Sequence, residues 1–210
     1  MNGASRIAAI LAASLALCAC NAVVTQAPMF TAADAGGAGA LKPGVWEFAP
    51  PCAPDQAAQN QCEAPTPFIV TPADIRRTGE TDPALAEPPM PYLLIAGDPR
   101  IVQIEAQSPE PGAKADLFYV YAALNPTASD PDGRVTAAEA WPIMCGPPPK
   151  LGEGSGSGHD GTTQPAPGMT MSDGGQCTPT DKAALVGAVA PSRDWSGGPA
   201  IVRWTKDAPP

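Results

Sequence analysis

PYLLIAGDPRIVQIEAQ, residues 91–107, is the stretch from which the fold of this chain is read. An apolar run ends at Gly97-Asp98-Pro99, residue types that favour reversal of the backbone. The chain then alternates, with Val102, Ile104 and Ala106 on one side and Gln103, Glu105 and Gln107 on the other. Period two belongs to a strand, so 91–107 predicts a β-hairpin with one dry face and one wet face. The next apolar run, DLFYVYAAL at 116–124, has no polar side, which suits a central strand covered on both faces. RVTAAEAWPIMC, 134–145, follows across the turn SDPDG at 129–133 as its partner. It alternates poorly, and Pro142, which lacks a backbone donor, places it at an edge or bulge.

Strand chemistry continues outward from this centre. LKPGVWEF, 41–48, begins with the turn pair Pro43-Gly44 and continues with Val45, Trp46 and Phe48, which favour strands. Towards the other end, Thr178-Pro179-Thr180-Asp181 reads as a helix start, with a hydroxyl cap, a proline in the first turn and an acid three residues on. The helix is expected to reach about Ala190 and stop at Pro191, with Ala184, Leu185, Ala188 and Val189 on one apolar face. About a dozen residues make a marginal helix in water, so it should dock on the sheet. IVRWT, 201–205, closes the pattern with Val202 and Trp204 facing inward. The expected fold is α+β and mainly β: a small antiparallel sheet of about five to seven short strands, one C-terminal helix packed on it, and long disordered segments.

Composition narrows the function. The 210 residues include 28 prolines and 21 glycines, and aromatics are only 5%, which points to one small core with loose segments. The net charge of −9 opposes polyanions. Nucleic acid is therefore excluded as a partner, because that binding rests on Lys and Arg neutralising phosphates.

The chain opens MNGASRIAAILAASLALCAC, with one cation at Arg6 and then the uncharged apolar run 7–17. This is the layout of a secretory signal, and the run is shorter than the roughly twenty residues of a membrane span. Leu17-Cys18-Ala19-Cys20 resembles the lipobox of bacterial lipoproteins: an aliphatic residue, a small residue, Ala or Gly, then the modified Cys. Ending the box at Cys18 would put Leu17 where a small residue belongs, so the resemblance singles out Cys20. It implies cleavage after Ala19, diacylation of the Cys20 thiol and acylation of the new amine. Two or three chains anchor firmly where one holds only marginally. Asn21, in place of the Asp that retains lipoproteins in the inner membrane, implies the outer membrane, facing the periplasm. The KPG-aliphatic-WE opening at 42–47 is similar to that of a group of proteobacterial periplasmic proteins. The expected organisation is a signal peptide at 1–19, a lipidated Cys and flexible tether at 20–41, and one β-rich domain at 42–210 with a disordered loop at about 146–176. A flexible tether of that length spans about 25 Å.

Four cysteines remain beyond the anchor: Cys52, Cys62, Cys145 and Cys177. An even count in an exported chain reads as two disulfides. Three pairings are possible, and Cys52 with Cys62 and Cys145 with Cys177 is favoured because each pair brackets its own loop. Neither pair has the close ligand spacing of a zinc site.

ASDPDGRVTAAE, 128–139, resembles part of the calcium-binding EF-hand loop. Counted from Ala128, Asp130 stands at position three, Asp132 at five, Gly133 at six, Val135 at eight and Glu139 at twelve. Ala128 replaces the usual Asp at position one, Pro131 stands at four, and the preceding run reads as strand rather than helix. Asp130, Asp132 and Glu139 are the candidate calcium ligands, and a plain acidic turn is the alternative. His159 is the only histidine and lies in GSGSGHDG, where nothing holds an imidazole. Gly156, Gly158 and Gly161 match a dinucleotide fingerprint by count but follow PPPK rather than a strand. Trp46, Trp141 and Trp204 are read as core. No cofactor other than calcium is expected. The functional expectation is a lipid-anchored envelope protein that binds or scaffolds an envelope partner or ligand without catalysis. A calcium-binding module and a small hydrolase using a carboxylate pair are the alternatives.

Overall fold

The computed structural model describes residues 21–37, 39–78, 88–107, 117–148, 164–172 and 176–208. Eleven strands form among them: β1 (Val24–Thr25), β2 (Gly44–Ala49), β3 (Thr66–Val70), β4 (Asp74–Arg77), β5 (Met90–Ile95), β6 (Arg100–Gln107), β7 (Leu117–Ser129), β8 (Val135–Pro142), β9 (Met169–Met171), β10 (Cys177–Pro179) and β11 (Ala200–Lys206). Two α-helices accompany them, α1 (Pro54–Ala58) and α2 (Lys182–Trp195).

Strands β2 to β8 each pair antiparallel with the next in the chain, and β11 returns between β8 and β2. Pairing of β7 with β8 closes the ring, so eight strands form an antiparallel barrel with β1 as an added ninth strand on β7. This corrects the expected small sheet of five to seven strands. Closure leaves the barrel no open edge, which a small sheet must otherwise protect. Strand β7 is long enough to serve both purposes. Along one edge it carries β6, and along the other it pairs with β1 at Tyr119–Val120 and with β8 from Ala122 to Ser129.

Alternation along the strands divides the core in two. Trp46, Val70, Leu94, Val102, Leu124, Ala138 and Val202, from seven barrel strands, meet in one buried cluster that fills the interior. The opposite phase of β5 to β8 supplies Ile95, Ile101, Tyr121, Ala123 and Trp141 to a second cluster outside the barrel wall. Leu185, Ala188 and Val189 of α2 cover that wall together with Val23 and Phe30. Gly44 sits at the start of β2 with φ of 140°. A Cβ there would collide with the Trp204 indole nitrogen and the Lys206 carbonyl, so this close crossing of β2 and β11 requires glycine.

The outer layer accounts for several departures from the sequence reading. The expected hairpin forms as β5–β6, with Leu94 opposite Val102 and Tyr92 opposite Ile104, but its wet face is covered at Gln103, half-covered at Glu105 and open only at Gln107. Gln103 is buried, and its amide accepts from Phe30 N at 2.9 Å and donates to Phe30 O at 3.1 Å. The expected tether over 20–41 is therefore, in its described part, largely packed against the domain: Val23 is 0% exposed and Phe30 5%. The loop expected to be disordered over 146–176 likewise contributes β9, which pairs with β10, and Met169 is buried. Residues 149–163 of that loop, and Cys20, lie outside the described residues.

Helix α2 starts later and ends later than its sequence signals suggest. Thr178 and Pro179 belong to β10, and the cap is Asp181, whose carboxylate accepts from Ala184 N at 2.8 Å. The helix continues through Pro191 to Trp195. Ser192 helps to seat this last turn, donating to Ala188 O at 2.6 Å and accepting from Met144 N at 2.8 Å. Strand β8 is flanked by β7 and β11, but its last residue, Pro142, lies past the end of the β11 pairing at Ala140 and has only β7 beside it, a local edge where a missing donor costs nothing.

One ion pair ties the N-terminal segment to α2. Lys182 Nζ donates to both oxygens of Asp34, at 2.7 and 2.8 Å. That bond, with the backbone N–H of Thr31, lowers the Asp34 pKa from 3.8 to about 2. The Arg76 side chain lowers Asp74 as well. At Asp130 burial pushes upward and is outweighed by hydrogen bonds from Arg134 and the Asp132 N–H, again leaving the carboxyl low. Depressed carboxyl pKa values contribute stability above the ordinary carboxylate range and lose it as pH falls through the folded value. The protection of the Phe30 amide, relative to the intrinsic exchange rate at each pH, should therefore fall between pH 3.8 and about 2, while Asp34→Asn should already show the reduced protection at pH 5. Equal profiles for the two proteins would contradict this role for Asp34.

Candidate functional site

A concavity of the described surface lies where α2 crosses the barrel. The β5–β6 turn supplies Asp98 and Pro99, the last turns of α2 supply Ala190, Arg193 and Asp194, and Asn125 and Trp141 form the floor. The cleft encloses about 380 Å³ and adjoins a groove of about 140 Å³ walled by Ile95, Ile101, Val186 and Val189 among others. A volume in the hundreds of cubic ångströms is in the range of small-ligand sites.

The floor is held by hydrogen bonds rather than by packing alone. Trp141 Nε1 donates to Val189 O at 2.9 Å, which fixes the indole against the helix. Arg193 stands 5.7 Å from the centre of that ring, and its Nη2 donates to both oxygens of Glu139 at 2.9 Å. Glu139 also accepts from Asn125 Nδ2 at 3.2 Å. Asn125, Glu139 and Arg193 thus make one strip crossing from β7 through β8 to α2. Asp98 and Asp194 add exposed carboxylates, and Val186 at 53% exposure adds an uncovered apolar side chain beside them. An aromatic edge, a guanidinium, an amide and free acceptors can hold a small polar or cationic ligand, or a short peptide segment, by complementary hydrogen bonds.

No family model, curated protein or solved structure matches this chain. The site is therefore read from its own chemistry.

The sequence-derived residues are distributed as follows. Cys52 is bonded to Cys62 and Cys145 to Cys177, the favoured pairing. Asp130 and Asp132 share the β7–β8 turn and both engage Arg134, at 2.9 and 2.6 Å. Glu139 does not join them, because residues 135–142 run as strand β8 and carry it to the cleft. An EF-hand would coil this segment into a helix and return the glutamate to the ion; here an antiparallel strand extends by about 3.3 Å per residue. Among the described residues no three His, Cys, Asp or Glu side chains converge as a metal site. His159, Gly156, Gly158 and Gly161 lie outside the described residues.

A carboxylate-dependent hydrolase requires two acids in one pocket, and the cleft does contain Asp98 and Asp194. Both are exposed, whereas such a pair divides its roles by holding one carboxyl in apolar surroundings. Sequence reasoning missed Asn125, Arg193 and Asp194 as site residues. They come from two segments of the chain and meet Asp98 only because α2 folds back across the wall.

Proposed function

We propose that this chain is a lipid-anchored protein of the cell envelope, acylated at Cys20, that binds a partner or small ligand at the α2–barrel cleft without catalysing a reaction. The observation that carries the reading is the pair of disulfides, one of them, Cys145–Cys177, fully buried within the outer core. Such bonds persist in exported proteins and are rare where thiols are kept reduced. The lipobox resemblance adds the mode of attachment, and Asn21 favours the outer membrane with the domain facing the periplasm. Among the described residues no helix is long and apolar enough to cross a membrane; on this reading the acyl chains supply the attachment.

Intact mass, measured on protein taken from bacterial membranes, tests the anchor and compartment together. The expected mass is that of residues 20–210 plus two or three acyl chains, with four thiols titrating only after reduction. An unacylated mass with free thiols would end the reading. The cleft is tested separately by encoding a photo-cross-linking residue at Ala190, and at Pro67 on the outer face of β3 as a control. A discrete adduct at Ala190 and none at Pro67 supports binding there, and equal labelling at both positions removes the cleft from the proposal.

A further inference from the structure

We propose that the domain lies flush on the membrane surface in one fixed orientation, with the patch around Asn21 against the lipid headgroups. This inference rests on the reading of Cys20 as the acylated residue. Its new content is that no slack separates the anchor from the fold.

Asn21 is only 8% exposed and is held on two sides. Its carbonyl accepts from Cys145 N at 2.6 Å, and its side-chain Nδ2 donates to Gly146 O at 2.8 Å. Val23 N then donates to Ile143 O at 2.9 Å, and Val23 bridges to Cys177. The chain is thus paired into the fold from the first described residue. Consecutive Cα atoms are about 3.8 Å apart, so an acylated Cys20 stands one peptide unit from a pinned backbone. The headgroup layer is on the order of 5–7 Å thick; with its chains in the hydrocarbon, Cys20 can hold Asn21 no further out than that layer.

The surface brought to the lipid is chemically suited to it. Segments 21–33, 143–148, 164–172 and 176–180 contain no Asp, Glu, Lys or Arg, in a chain of net charge −9. They are contiguous: Ala166 N donates to Cys145 O at 2.7 Å, Cys145 is bonded to Cys177, and Cys177 pairs with Met171. Pro147, Gln164 and Pro165 are exposed on this patch. Carboxylates facing an anionic leaflet would be repelled, and these described segments present none, Asp34 and Asp181 standing just beyond their ends. The opposite wall of the barrel is β3, four strands round from β7; it faces away from the membrane.

The test uses the full acylated protein in phosphatidylethanolamine–phosphatidylglycerol vesicles containing a lipid with a headgroup nitroxide. A fluorescent amino acid is encoded at Gln164, in a second protein at Pro147, and in a third at Pro67 on β3. The first two should be quenched severalfold more than the third. Equal, weak quenching at all three in protein whose mass includes the acyl chains would overturn flush docking and leave the anchor standing. Absence of acyl chains from the mass would overturn the anchor reading, and this inference with it.

Discussion

Trp46→Ala is expected to lower the unfolding free energy by about 3–5 kcal/mol, whereas Glu47→Ala, one residue on, should change it by no more than about 0.5 kcal/mol. The contrast follows from closure. Trp46 is 1% exposed, lies across β2 from Phe68 on one neighbour and Trp204 on the other, and donates its indole N–H to Lys42 O at 2.8 Å. Its ring centre is 6.4 Å from that of Phe68. Truncation empties the largest single volume of the interior cluster, and a ring of paired strands can collapse only partly to fill it. Glu47 points the other way and meets Arg203 at 3.0 Å in an exposed ion pair, a contact that water and salt largely replace. Whole domains of this kind are stable by only about 5–15 kcal/mol, so the first substitution removes a large share. Urea midpoints of the two variants, compared at equal slope, measure it. Shifts of similar size would mean that the interior of the barrel is not the principal core.

The same alternation explains what the sequence disclosed and what it concealed. Val102 and Val202 were legible as inward residues because each lies in a strand that shows period two, whereas Leu94 and Leu124 sit in runs that are apolar on both faces and carry no such signal. Strands β3 and β4 were not legible, since they have five and four residues and include Pro67 and the arginines Arg76 and Arg77. Without them the ring cannot be closed on paper, and a sheet is the natural reading. The outer layer was hidden for a different reason. Val23, Phe30 and Met169 sit in segments rich in small residues and proline, whose local pattern resembles loose chain, and only the exposed apolar wall of β5 to β8 gives them something to cover. Gln103 was read as wet because a polar residue on an alternating strand usually is; here the backbone of Phe30 satisfies both ends of its amide. The disulfides were legible from bracketing alone. The cleft was not, because its polar residues come from four distant points of the chain and none carries a spacing signal.

Replacing Cys145 and Cys177 together by alanine is expected to destabilise the domain by about 4 kcal/mol or more, against about 3 kcal/mol for Cys52 and Cys62. Loop length gives the first difference, since the pairs are 32 and 10 residues apart. Burial widens it. Cys145 and Cys177 are 0% exposed and pack with Val23, Leu185 and Trp141, so their removal also opens a void, while Cys62 is exposed. The more telling readout is local. Cys145 N donates to Asn21 O, and Cys177 bridges to Val23, so the Cys145–Cys177 bond fixes two of the chains to which the N-terminal segment is paired, β7 being the third. Amide exchange at Val23 should therefore accelerate in the Cys145/Cys177 variant beyond what its global destabilisation predicts, and should follow global stability alone in the Cys52/Cys62 variant. If so, the disulfide that braces the outer core also holds the point of membrane attachment rigid, and reduction would turn a fixed orientation into a loose one. If Val23 stays as protected as the barrel strands in both variants, the N-terminal segment is held by β7 and α2 without help from sulfur, through Val24 opposite Val120 and the Asp34–Lys182 pair. The orientation of the domain would then be independent of redox state.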